Sequence, residues 1–188
     1  LKQLINKGLI KREENAYFIT INGVKEITKY DLPILENPGF KTFFIGFLCN
    51  YENKYLIKEH PITSNNFYNL PSGKPKFGEK IEKALVRIFE VNTRITLEPK
   101  AFGFLSLHLK IIKTSQREVL FDDAFGIYKV SINNTQKEKM KFPKQIKWMS
   151  LKEIEKLSNR WPEIDICIIQ KDTNPYLSYE FVSDYVLS

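Results

Sequence analysis

Between Leu70 and Ile95 the chain reads LPSGKPKFGEKIEKALVRIFEVNTRI, and within it Pro71, Gly73, Lys74, Glu79 and Arg87 have the types and spacing that suit the handling of a phosphate. Pro71 and Gly73 allow a sharp bend and a close approach of backbone to ligand, and Pro75 and Gly78 keep the segment irregular until a helix begins near Lys80. A helix N-terminus offers free N–H groups and the positive end of the helix dipole, and Lys74 adds a formal charge, so an anion would be welcome there. The same frame also suits a plain loop feeding a core helix, and the pattern alone leaves both readings open. Ile81, Ala84, Leu85, Ile88 and Phe89 recur at helical spacing and predict an amphipathic helix packed on a sheet.

The segment resembles the Nudix box. In that pattern a Gly is followed after five residues by Glu, then after seven more by Arg-Glu, an aliphatic, any residue, Glu-Glu, any residue, Gly and an aliphatic. Gly73, Glu79, Arg87, Phe89 and Ile95 fall in register. The resemblance implies that the Arg-Glu and Glu-Glu carboxylates ligate divalent metal ions, and in this chain those positions carry Ile88, Val91 and Asn92. Residues i, i+3 and i+4 share one helical face, so the family's acids can converge on one metal cluster. Here that face offers two aliphatic side chains and one neutral carbonyl, whereas Mg²⁺ wants oxygen ligands in octahedral geometry. The expectation is therefore no metal, no cofactor and no catalytic residue, because hydrolysis without the metal loses both its Lewis acid and its activated water. Glu79 is expected to pair with Arg87 as a structural tie, and Glu90 is turned roughly 100° from the lost face. The alternative is a divergent Mg²⁺-dependent hydrolase of nucleoside diphosphate derivatives that uses Glu79, Glu90 and a loop carboxylate. Arg94 replaces the Gly that closes the box helix, where a left-handed backbone is common.

The surrounding chain fits the same architecture. KTFFIGFLCN and NKYLIKEH predict two paired strands with a polar turn at Tyr51 to Asn53, and AFGFLSLHLKII and EVLFDDAFGIYKVSI predict two more across the turn KTSQR. NNTQKEKMKFPK reads as a charged surface loop. QIKWMS reads as a strand entering a helix, with Ser150 and Glu153 at capping-box spacing and Ile154 and Leu157 as its buried stripe. The fold class expected is α+β, a Nudix-like mixed-sheet α/β/α sandwich over residues 37–188, and the resemblance covers about two thirds of the chain.

Residues 1–36 read differently. Leu1, Leu4 and Ile5 form a helical stripe, Gly8 stops it, LIKRE and AYFIT alternate as strands around Glu14 and Asn15, and Asn22 can cap a further helix. This looks like the latter half of a winged-helix domain, with the linker YDLPILENPGF placing a boundary near Glu36. In a helix-turn-helix protein the helix before the wing enters the major groove, so Lys2, Lys7, Lys11 and Arg12 would meet phosphates. Winged helices also dock proteins, and Glu13 and Glu14 at the wing tip would repel DNA. The chain begins at Leu1 without an initiator Met, and helices that should precede a recognition helix are not in it. The expectation is a piece of a longer protein.

At 188 residues, with 43% hydrophobic and 13% aromatic residues, the composition is globular and allows one good core plus a small appendage. A formal net charge of +7 favours nucleic acid, anionic nucleotides or acidic partners. The longest apolar run, FFIGFLC, is far shorter than the ~20 residues that cross a bilayer, and no signal peptide is visible, so no membrane contact and a cytoplasmic location are expected. Cys49 and Cys167 read as buried thiols, and His60 and His108 as isolated imidazoles. Asp122 and Asp123, adjacent on a strand, point to opposite faces and cannot share a metal, although one of them can line a pocket.

The function expected is a transcription regulator: a DNA-binding winged helix joined to a non-catalytic Nudix-like domain that senses a nucleotide or nucleotide-sugar phosphate. Regulators resembling this pairing use such a domain to sense ADP-ribose-like compounds, usually with the modules in the opposite order. The loop from Pro71 to Gly78 would hold the phosphates, and Phe44 or Phe47 would stack on a base. A further alternative makes the apolar patch at Ile88 and Val91 an interaction surface, the domain then being a non-catalytic DNA-recognition or protein-interaction module of a larger protein, with a second copy or a larger protein as its partner.

Overall fold

The computed structural model describes residues 2–13, 16–20, 22, 42–60, 67–117 and 119–182. Contacts divide the chain into two compact units, Leu1–Lys41 and Thr42–Ser188. The expected boundary near Glu36, the linker and the helix expected after Asn22 lie outside the described residues.

In the first unit, helix α1 (Lys2–Asn6) is closed by Gly8 at φ +65°, with Leu9 N donating to Leu4 O and Gly8 N to Ile5 O. This is the double bond pattern of a glycine-terminated helix, and Gly8 takes the left-handed conformation without a Cβ penalty. Strands β1 (Ile10–Glu13) and β2 (Ala16–Ile19) then pair antiparallel from Ile10↔Ile19 to Glu13↔Ala16. The Thr20 hydroxyl donates to Gly8 O and ties the hairpin back to the helix end.

The second unit is built on strands whose alternation was legible. In β3 (Thr42–Tyr51), Ile45, Phe47 and Cys49 are buried on one face while Phe44 and Leu48 pack on the other. A two-residue turn at Glu52 and Asn53, with φ of 47° and 61°, leads into β4 (Lys54–His60). Positive φ at both central positions matches the right-handed twist of the flanking strands. Then come β5 (Phe67–Asn69), β6 (Ser72–Gly73), helix α2 (Ile81–Thr93), β7 (Phe102–Lys113), β8 (Val119–Val130), helix α3 (Asn134–Lys139), β9 (Ile146–Ser150) and helix α4 (Leu151–Glu155). The last described elements are helix α5 (Pro162–Ile164), which runs on into a π-helical turn at Asp165–Ile169, and β10 (Tyr176–Val182).

The strands form one mixed sheet in the order β10-β7-β8-β3-β4-β5, with β6 also on β3 and β9 also on β4. β3 runs parallel to β8, and β10 parallel to β7. α2 packs Ala84, Leu85, Ile88 and Phe89 against Ile45, Phe47, Leu56 and Phe102 on one face. Ile154, Ile164, Cys167 and Ile168, from α4 and the α5 region, cover Ile57, Phe125 and Ile127 on the other. The α+β, mixed-sheet expectation holds.

β3 and β4 pair only at the hairpin end, through Asn50↔Tyr55 and Tyr51↔Lys54. Away from the turn they diverge, and the sheet splits at the end where Thr42, Phe44 and His60 lie.

One element departs from expectation. Residues 134–139, read as charged loop, form α3, because Asn133 accepts from Gln136 N while Gln136 Oε1 accepts from Asn133 N. That reciprocal cap satisfies two N–H groups that a helix start otherwise leaves open. The capping box expected at Ser150 and Glu153 does form.

Candidate functional site

The segment that joins β5 to α2 is fixed at both ends. Pro71 is buried, and its carbonyl accepts from Phe47 N at 2.9 Å. Ser72 and Gly73 pair with Gly46 and Ile45. A Cβ on Gly73 would meet Ile88 Cγ2 at 2.7 Å, so the glycine is required by the packing of the box helix against β6. Further on, Arg87 donates through Nε and Nη2 to the two oxygens of Glu79, at 2.7 and 2.6 Å, and also to Lys74 O at 3.1 Å. Glu79 Oε2 in addition accepts from Lys76 N at 2.8 Å. The Arg87 bonds and that backbone bond hold the Glu79 carboxyl at about 2, well below the usual carboxylate range. The pair thus straps the loop to the helix, as the resemblance implied.

The helix face that carries metal ligands in the resembled pattern is committed elsewhere. Ile88 is 2% exposed and sits on Gly73, whereas Val91 is 55% exposed. Asn92 is buried: its Nδ2 donates to Ile88 O at 2.7 Å and Ser72 O at 3.4 Å, and its Oδ1 accepts from Lys58 Nζ at 3.5 Å. Glu90 Oε1 accepts from the Thr96 hydroxyl. Among the described residues no three His, Cys, Asp or Glu side chains are grouped to hold a metal ion. A divalent ion beside Asn92 would meet a lone neutral carbonyl and a neighbouring ammonium, so the residues present do not fit the metal that the resemblance implies. Arg94 adopts φ 61°, ψ 17° and closes α2 through its N–H to Glu90 O, taking the left-handed conformation with its Cβ in place.

Where the sheet splits, a cavity of about 330 Å³ opens, a size that suits a small-molecule ligand. Phe44, Phe121, Phe125 and Trp161 supply aromatic wall, and Lys74, Lys110, His60 and Asp123 supply charge or polarity. Lys74 Nζ stands 4.9 Å from the Phe44 ring centroid. Lys110 is 2% exposed, bonded at 2.6 Å to the fully buried Glu163, and lies over the rings of Trp161 and Phe125 at 4.7 and 5.0 Å. Glu163 Oε2 has no hydrogen-bond partner among the described residues. Burial, with the charges of Lys58 and Lys110, pushes the His60 imidazole down to about 4, so it is neutral at pH 7. Burial raises the Asp123 carboxyl, against the pull of Lys110.

Of the expected ligand residues, Phe44 and Lys74 line this cavity. Phe47 does not: it is fully buried between Phe89 and Phe102, with ring centroids at 5.2 and 5.7 Å, and is a core residue with no face left for a base. Pro71, Gly73, Glu79 and Arg87 shape and brace the loop without entering the cavity wall, and the start of α2 is not part of that wall either. Lys2, Lys7, Lys11 and Arg12 are exposed in the first unit, with Arg12 5.8 Å from the Tyr17 ring centroid. The expected interaction patch is divided, since only Val91 faces solvent. Cys49 and Cys167 are free, buried thiols pushed up to about 12 by burial. His108 is buried between the Ser106 hydroxyl and the Tyr179 hydroxyl, at 3.0 and 3.2 Å.

Sequence reasoning missed Lys58, Lys110, Glu163 and Trp161. Lys58 and Lys110 carried a signal, because each stands at an inward position of an alternating strand, flanked two residues away by buried Leu56 or Ile112.

No family model and no curated protein matches the chain. Among solved structures it is similar to a MutT protein from Bacillus halodurans, with a TM-score of 0.58 at 14% identity over 77% of this chain and 92% of that one. A Nudix hydrolase from Nitrosomonas europaea gives 0.48 at 20% identity over 70% and 88%. NrtR from Shewanella oneidensis gives 0.48 at 15% identity over 63% and 56%. The fold is Nudix-like. No helix among the described residues is long and apolar enough to cross a membrane.

Proposed function

We propose that the chain is a regulator in which a Nudix-like domain binds a nucleotide or nucleotide-sugar phosphate without cleaving it, joined to an N-terminal winged-helix unit that contacts DNA. The observation that carries the first half is the fate of the box helix: Ile88 is spent on packing against Gly73, and Asn92 on Lys58, Ser72 and its own helix. Metal-assisted attack on a diphosphate needs oxygen ligands there, and none remains with a negative charge. The adjoining cavity keeps what recognition needs. Lys74 offers a cation to phosphate, and Phe44, half-buried on the wall, offers a ring to a base or sugar. For the second half, the support is the helix and hairpin of the first unit, with Lys2, Lys7, Lys11 and Arg12 exposed for phosphate contact. Ligand binding would act on DNA only by favouring one arrangement of the units over another.

The test is a panel of nucleoside diphosphates, ADP-ribose and nucleotide sugars, read by thermal shift and by product release with Mg²⁺ or Mn²⁺. A compound present at a hundred times its dissociation constant adds about 2.7 kcal/mol of stability. A stabilising compound recovered intact supports the reading. Metal-dependent release of phosphate or nucleoside monophosphate, or no shift with any phosphate compound, removes it.

A further inference from the structure

Lys58 stands on β4 beside α2, half-buried, and burial lowers its pKa. Among the described residues its one bonded neighbour is neutral, the Asn92 carbonyl at 3.5 Å. No carboxylate among the described residues pairs with it: Glu79 is held by Arg87, Glu163 by Lys110, and Glu59, on the opposite face of the strand, by Lys147 at 3.9 Å, while the carboxyl of Asp123, on the cavity wall, is raised by burial. A partly desolvated ammonium without a counter-ion is costly, and it attracts any anion that can reach it. The position matters as much as the charge. Asn92 is one of the box-helix residues that replace acids, and its amide is oriented by Ser72 O and Ile88 O so that the oxygen faces Lys58. An acid at 92 would cancel the ammonium, whereas the amide aims it and leaves its charge free. Two residues along the same strand face, His60 lines the cavity and is kept neutral by burial and, second to it, by the charge of Lys58.

From this arrangement we propose that Lys58 is a built-in substitute for the divalent ion: together with Lys74 it holds the diphosphate of a ligand, and the binding needs no metal. The proposal rests on the ligand-binding reading above and deepens it. No bond is made or broken. The Lys58 ammonium supplies a single positive charge where a metal would supply two, and it supplies neither a Lewis acid nor an activated water, which fits retention of a diphosphate without cleavage.

The experiment is calorimetric titration of the full chain with inorganic pyrophosphate, in EDTA and again with Mg²⁺. Binding is expected to persist in EDTA. Lys58→Met is expected to weaken it at least tenfold with no fall in the unfolding midpoint, since the substitution removes a desolvated charge, and Lys58→Arg to keep most of it. Asn92→Asp tests the same idea through the neighbour: a carboxylate there pairs with Lys58 and should weaken pyrophosphate about as much as Lys58→Met does. Wild-type binding that needs Mg²⁺, equal affinity in wild type, Lys58→Met and Asn92→Asp, or no pyrophosphate binding at all each overturns the proposal. The first two of these outcomes leave the ligand-binding reading standing, and the nucleotide panel decides that reading separately.

Discussion

The Lys110–Glu163 pair gives the sharpest stability prediction. Its atoms are 2.6 Å apart, with side chains 3% and 0% exposed, and Glu163 Oε2 has no partner among the described residues. Removing one member of a buried pair leaves an uncompensated charge and costs about 3–5 kcal/mol, while replacing both by apolar groups of similar volume is often neutral or stabilising. The two single losses are not equivalent here. Glu163→Leu strands an ammonium that still borders the cavity and lies over Trp161 and Phe125, contacts worth about 0.5–2 kcal/mol, so it belongs at the lower end. Lys110→Met strands a fully buried carboxylate that has lost its counter-ion and belongs at the upper end. For a chain of this size each kcal/mol moves the unfolding midpoint by about 2–4 °C, so the singles should lower it by about 6–20 °C. The double variant Lys110→Met with Glu163→Leu should return to within about 2 kcal/mol of wild type, because no charge is left to desolvate. Urea unfolding of the four proteins at pH 7 reads the cycle directly. If both singles cost less than about 1 kcal/mol, or the double is worse than either single, the pair is not desolvated as its geometry implies and the reasoning fails.

Arg94→Gly relieves a left-handed residue that carries a Cβ and should raise stability by about 1 kcal/mol, visible as a higher urea midpoint; a drop would show that Arg94 makes a contact that outweighs its backbone strain. Gly73→Ala should cost about 1–3 kcal/mol by driving its Cβ into Ile88, and the loss should be smaller when measured in an Ile88→Ala background, where the obstructing methyl is gone. His60 has a folded pKa depressed to about 4 against an ordinary value near 6.5, so the folded state binds fewer protons in that window. The stability it contributes is therefore present above pH ~6.5 and is lost as pH falls towards 4, and unfolding curves of His60→Leu should lack this component of the wild-type slope.

How much of this was legible follows from the distance over which each feature is decided. The box frame, the hairpin turn after β3 and the Ser150 cap are local, and a few neighbouring residues settle them: Gly73 and Gly78 for the loop, helical spacing for α2, Ser-x-x-Glu for the cap. The same local rule would have found α3, since Asn133 and Gln136 form the same kind of cap at the same spacing; charge density hid it. The cavity is a different matter. Lys58 meets Asn92 across 34 residues and Lys110 meets Glu163 across 53, and nothing short-range says that β4 will lie against α2 or β7 against α5. Phe47 was misread for the same reason, because alternation says that Phe44 and Phe47 face opposite sides of β3 but not which side will be sealed by α2. What the sequence did contain is a conflict: lysines at inward positions of strands whose neighbours are Leu, Ile and Phe. Such breaks of the local rule persist in a folded chain when something distant compensates them. For Lys110 that compensation is Glu163. For Lys58 the described residues provide only a neutral amide, and that is the reason to look for an anion that comes from outside the chain.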